Sequence, residues 1–111
     1  MSTITTHILD TSIGRPASGV PLILAKASGG GWTTVGRGTT DIDGRCKTLL
    51  KNPKVRKGTY RLTFGVASYF KRTGQKAFYP SVSIVFTVTD ARHHHVPLLL
   101  SPWGYSTYRG S

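Results

Sequence analysis

Between Thr3 and Leu9 the side chains alternate. Ile4, Thr6 and Ile8 fall on one side, while Thr5, His7 and Leu9 fall on the other. That period of two predicts an extended strand with one buried face. It stops at Asp10-Thr11-Ser12-Ile13-Gly14-Arg15-Pro16, a run of turn formers. Val20 to Ala27 is a second extended segment, ended by Ser28 and three glycines, and Trp32 to Gly38 is a third. The alternation is clearest from Tyr60 to Val66, where Tyr60, Leu62, Phe64 and Val66 share a face against Thr59, Arg61, Thr63 and Gly65. Pro80 to Thr89 repeats it, with Val82, Ile84, Phe86 and Val88 inward. Between these two, Ser68 to Thr73 is the only stretch that reads as a helix, and it is short. Two last strands, His93 to Leu100 and Trp103 to Arg109, meet at Ser101-Pro102. The pattern predicts an all-β chain of seven or eight strands with one short helix, folded as an antiparallel Greek-key sandwich.

Length and composition agree with that reading. A chain of 111 residues suits a single domain over residues 1–111, and 13 glycines with 6 prolines suit many tight turns. No apolar run of membrane-spanning length is present, and the N-terminus shows no basic segment followed by an apolar one, so a cytoplasmic protein is expected. The net charge of +11, from 15 Lys and Arg against 4 acidic residues, raises nucleic acid, an anionic membrane or an anionic substrate. The basic residues are scattered, however. Their densest stretch, Lys51 to Lys57, contains Asn52-Pro53 and reads as a solvated loop. Without a basic helix or an aromatic RNA-binding motif, no specific nucleic-acid partner is expected. The single cysteine, Cys46, forms no intrachain disulfide. Arg45 beside it favours a reactive thiolate, but a small buried residue at a strand start is the simpler reading.

The chemistry-bearing residues are few. In His93-His94-His95, strand alternation sends His93 and His95 one way and His94 the other, with Val96, Leu98 and Leu100 on the face of His94. Two histidines spaced in this way, completed by His7, would make a zinc site of His7, His93 and His95. The plainer reading makes His93 and His94 solvent-exposed residues at a strand start. His7 lies on a half-polar face that suits either a structural histidine or one lining a cleft. The Asp41-Ile42-Asp43-Gly44 turn, with Gly44 in a left-handed conformation, puts Arg45 at the next strand start. A guanidinium there suits a planar, carbonyl-rich or anionic ligand.

Three separated blocks carry a resemblance. Thr5-Thr6-His7-Ile8-Leu9-Asp10, Asp43-Gly44-Arg45 and His95-Val96-Pro97-Leu98-Leu99-Leu100-Ser101-Pro102, the last running on to Tyr108-Arg109-Gly110-Ser111, together resemble the 5-hydroxyisourate hydrolases, the enzymatic branch of the transthyretin-like family. The resemblance implies hydrolysis of 5-hydroxyisourate in urate degradation, without a cofactor or metal. It implies His7, Arg45 and His95 as catalytic residues, with Tyr108, Arg109, Gly110 and Ser111 joining His7 and Arg45 in binding substrate. It further implies that the Ser111 carboxylate orients a histidine or Arg45, and that four copies assemble as a homotetramer. Three departures stand out: His94 occupies a position usually held by Tyr, Gly65 to Phe70 replaces a segment that usually carries an acidic residue and a Thr-Gly pair, and the net charge of +11 is higher than the family leads one to expect. The competing class is a carrier of a small hydrophobic ligand on the same fold.

Overall fold

The computed structural model describes residues 2–46 and 54–111. Its elements, in chain order, are β1 (Ser2–Asp10), β2 (Arg15–Pro16), β3 (Pro21–Ser28), β4 (Gly31–Thr39), β5 (Lys54–Val55), β6 (Gly58–Phe64), α1 (Ala67–Arg72), β7 (Val82–Val88), β8 (His94–Ser101) and β9 (Gly104–Thr107). Seven of the strands have four or more residues; β2 and β5 are two-residue pairs flanking β1. One sheet runs β2-β1-β8-β9 and the other β4-β3-β6-β7. Their inner faces meet in a core that includes Ile4 and Ile8 from β1, Leu22 and Leu24 from β3, Leu62 and Phe64 from β6, and Leu98 and Leu100 from β8. Each such side chain contributes about 1.5–3 kcal/mol by leaving water. Val66, just past β6, and Tyr69 and Phe70 of α1 are buried with them.

The alternation places the strands to within two residues of their expected ends. Two expectations fail. The sandwich is not wholly antiparallel, because β1 and β8 pair in parallel over seven registered positions, from Ile4 opposite His94 to Asp10 opposite Leu100. Alternation reveals which face is buried and carries no information on the direction of a partner strand. His94, expected in solvent, is 4% exposed. It shares the inward face of β8 with Val96 and Leu98, and neither of its ring nitrogens has a hydrogen-bond partner among the described residues. The nearest carboxylate oxygen is Asp90 Oδ1, 3.9 Å from Nε2. In the basic stretch Lys51 to Lys57, residues 51–53 lie outside the described residues, as does the strand expected to continue from Arg45 beyond Cys46. Lys54 and Val55 form β5, and Arg56 and Lys57 follow as exposed residues. Cys46 is buried. Among the described residues no helix is long and apolar enough to cross a membrane.

Candidate active site

The outer face of the β2-β1-β8-β9 sheet collects the polar residues that alternation sends away from the core. On β1 these include Thr5 and His7, both half-buried, and on β8 His95, also half-buried. Parallel register sets Thr5 opposite His95 and His7 opposite Pro97, so His7 stands diagonally across from His95, within reach on neighbouring strands. Arg45 arrives from the other side of β1, where it pairs with His7 in an isolated antiparallel bridge. Directly opposed residues in such a pair project to the same face.

A tight turn aims Arg45. Asp41 Oδ1 accepts from the backbone N–H of Asp43 at 2.9 Å and of Arg45 at 3.1 Å, while Asp41 N–H donates to the Arg45 carbonyl at 2.7 Å. Gly44 adopts φ +74, and its carbonyl accepts from Ile8 N–H at 2.9 Å. A Cβ at Gly44 would sit 2.4 Å from the Ile8 carbonyl oxygen, so only glycine lets the turn lie against β1.

The tail closes the opposite side. Gly110 bridges to His95 in antiparallel fashion and donates its N–H to the His95 carbonyl at 2.8 Å. Arg45, His7, His95 and Gly110 therefore cross the sheet in that order. Tyr108, Arg109 and Ser111 are exposed. Tyr108 and Arg109 meet His95 at a cleft of about 280 Å³ that Ile84 and Phe86 of β7 also line; His7 and Arg45 stand outside its lining. His7, Arg45, His95 and Gly110 are thus brought together on one face, Tyr108 and Arg109 flank His95 alone, and Ser111 lies at the exposed end.

His95 titrates below the ordinary histidine range. Burial is the leading cause, followed by the positive charges of Arg45, His93 and His7. A neutral imidazole in the field of a permanent guanidinium is equipped to accept a proton, and the guanidinium to stabilise an oxyanion. The zinc set His7, His93 and His95 does not converge. The His93 and His95 rings lie nearly parallel with centroids 6.4 Å apart, and no group of three metal-ligating side chains among the described residues is placed to hold an ion. One contributor escapes the sequence reading: Thr5, whose Oγ1 is 2.8 Å from His95 Nδ1. Its place on the same face as His7 was the available signal, but a threonine on a strand carries no mark of a polar contact 90 residues away.

The geometry has close relatives. The mouse 5-hydroxyisourate hydrolase is 48% identical over 99% of this chain and 96% of its own length. A solved structure of the Klebsiella pneumoniae 5-hydroxyisourate hydrolase superposes with a TM-score of 0.86 at 38% identity, covering 100% of this chain and 94% of that one. Sea bream transthyretin, solved in complex with thyroxine, superposes with a TM-score of 0.90 at 32% identity, covering 97% and 94%. The HIUase/Transthyretin family matches residues 4–110. With the family match and the superpositions extending over nearly the whole length, this chain belongs to the HIUase/Transthyretin family.

Proposed function

We propose that this protein hydrolyses 5-hydroxyisourate to 2-oxo-4-hydroxy-4-carboxy-5-ureidoimidazoline, a cyclic amide hydrolysis in urate degradation. The observation that carries the reading is the meeting of His7, Arg45 and His95 on one sheet face from three distant parts of the chain. The hydrolase names of relatives such as the mouse protein support it.

Water loses a proton to His95 Nε2 as its oxygen bonds to the ring carbonyl carbon. Arg45 stabilises the oxyanion of the tetrahedral intermediate, a role its fixed, permanently charged donors suit. When the intermediate collapses, the carbon–nitrogen bond breaks and the departing nitrogen takes a proton from the histidine pair, so protons balance over the cycle. His7 and His95 act as a coupled pair in this exchange. Tyr108 contacts the substrate ring from the mouth of the site, and Arg109, Gly110 and Ser111 complete its wall.

The proposal includes a homotetramer. Strand β7 ends one sheet and β9 the other, and beside these edges Phe78, Val85 and Tyr105 are 66%, 58% and 43% exposed. An open edge lined by large apolar groups is a pairing surface. The likeness to a transthyretin solved with thyroxine favours a ligand carrier as the second reading; a sheet face carrying His7, Arg45 and His95 serves catalysis better than retention of an apolar ligand.

The test is to add the protein to freshly generated 5-hydroxyisourate with a chelator present and follow ultraviolet decay against the spontaneous rate. Acceleration is expected. An unchanged decay with folded protein would reject the hydrolase, and a rate that returned only with zinc would transfer the chemistry to a metal.

A further inference from the structure

Thr5 stands between two imidazoles. Its Oγ1 is 2.8 Å from His93 Nε2 and 2.8 Å from His95 Nδ1. The second nitrogen of His93, Nδ1, meets Thr3 Oγ1 at 2.5 Å. A hydroxyl has one proton to give, and a neutral imidazole has one N–H. A continuous chain Thr3–His93–Thr5–His95 therefore has only two senses. In the first, Thr3 donates to His93 Nδ1, His93 Nε2–H donates to Thr5, and Thr5 donates to His95 Nδ1. Both rings then carry their proton on Nε2. In the second, His95 Nδ1–H donates to Thr5, Thr5 donates to His93 Nε2, and His93 Nδ1–H donates to Thr3. Both rings then carry their proton on Nδ1, and His95 Nε2 is bare.

The two senses differ in what His95 can do. Once Nε2 takes a proton the ring is an imidazolium, and both its nitrogens are donors. Nδ1–H must then point at Thr5. Only the second sense already holds that bond, so only there can Nε2 gain and return a proton without Thr5 reversing its own. We propose, building on the hydrolase reading, that Thr5 backed by His93 is a positioning residue: it holds His95 in the Nδ1–H tautomer and keeps Nε2 free for the proton of the attacking water. The groups around His95 are His7 and Thr5 on β1, Arg45 bridged to β1, His93 ahead of β8, and on the tail side Gly110 with Tyr108 and Arg109 across the cleft. A base locked by a neighbour's hydrogen bond reacts from one protonation pattern instead of two, which is how a supporting residue raises turnover without touching the reacting atoms.

The experiment joins nitrogen-15 imidazole NMR of the substrate-free protein at neutral pH with steady-state kinetics. In the wild type, His95 should show a protonated Nδ1 and a bare Nε2. Thr5→Val keeps the shape and β-branching of the side chain but loses the hydroxyl. It should release His95 toward the Nε2–H form and lower kcat by about 10-fold, a fraction of the roughly 100- to 10,000-fold that general-base catalysis supplies. KM should change by less than about twofold, because ground-state binding is untouched. Thr5→Ser, which restores a hydroxyl, should restore both tautomer and rate. A wild-type His95 protonated on Nε2 overturns the proposal, and so does an active wild type whose Thr5→Val variant keeps full kcat. A wild type that fails to open the ring instead overturns the hydrolase reading and, with it, the catalytic role assigned to Thr5. The NMR result separates the two failures.

Discussion

Gly110 donates its backbone N–H to the His95 carbonyl at 2.8 Å, and a Cβ placed on it would fall 2.5 Å from His95 Cδ2. The tail reaches the His95 ring only because position 110 has no side chain. Gly110→Ala must either push the imidazole off its rotamer or lift the tail from β8. Turnover should fall by roughly 10-fold or more, since small misplacements of a reacting group cost heavily, while the melting temperature moves by only a few degrees. Steady-state kinetics beside a thermal melt checks this; unchanged kcat would show that the ring tolerates the intrusion.

His7→Ala, Arg45→Ala and His95→Ala should each reduce kcat/KM by about 100-fold or more, the scale of a lost general base or oxyanion donor, with native circular dichroism retained. His94→Ala should behave differently. Its ring points into the core, so truncation leaves a cavity and should cost about 1–3 kcal/mol of stability, with turnover per folded molecule largely preserved. A variant among the first three that retained turnover would leave the mechanism.

The lowered pKa of His95 sets a pH profile. A general base works in its neutral form, and burial together with the charges of Arg45, His93 and His7 keeps it neutral to lower pH. Activity should therefore hold through neutrality and fall only on the acid side of about 6.5. In Arg45→Ala one repelling charge is gone, so the His95 titration, followed by NMR, should move upward. A downward shift, or none, would remove Arg45 from the field acting on His95.

Asp10 is fully buried. Burial alone would raise its pKa, but hydrogen bonds from Ser12, Tyr69 and Gln75 outweigh that, and the carboxyl sits below its ordinary 3.8. The Tyr69 hydroxyl, 2.6 Å from Oδ2, is pushed up by its own burial and by Asp10. A depressed carboxylate stabilises the fold above its unfolded pKa, and that contribution disappears as pH falls through the folded value. Tyr69→Phe should cost about 1.5–3 kcal/mol near neutrality, the worth of a hydrogen bond to a charged group. It should also move acid unfolding to higher pH. An unchanged acid midpoint in denaturation curves would contradict the linkage.

Gly44→Ala forces an L side chain into φ +74 and against the Ile8 carbonyl. The backbone term alone is about 1–2 kcal/mol, and the contact adds to it. Because this turn aims Arg45 beside His7, kcat/KM should fall together with stability. A loss of stability with intact turnover would mean that Arg45 finds its place without the turn.

Much of this molecule is legible in short stretches of chain. Tyr60 to Val66 and Pro80 to Thr89 read as strands because their apolar residues recur every second position, a property of neighbours in sequence. The same rule sends His7 and His95 to a polar face, and the Asp-Gly turn marks Arg45. His94 could have been read correctly as well, since it shares its phase with Val96 and Leu98; triple histidine simply looks like a solvated cluster. The parallel pairing of β1 with β8, the insertion of Thr5 between two imidazoles and the contact of Gly110 with the His95 ring have no such local signature. Direction and register of a strand pair depend on residues about 90 positions apart, and a slip of one residue would reverse every face. Local periodicity therefore determined which side chains are polar, exposed and available for chemistry. Tertiary pairing decided which of them meet.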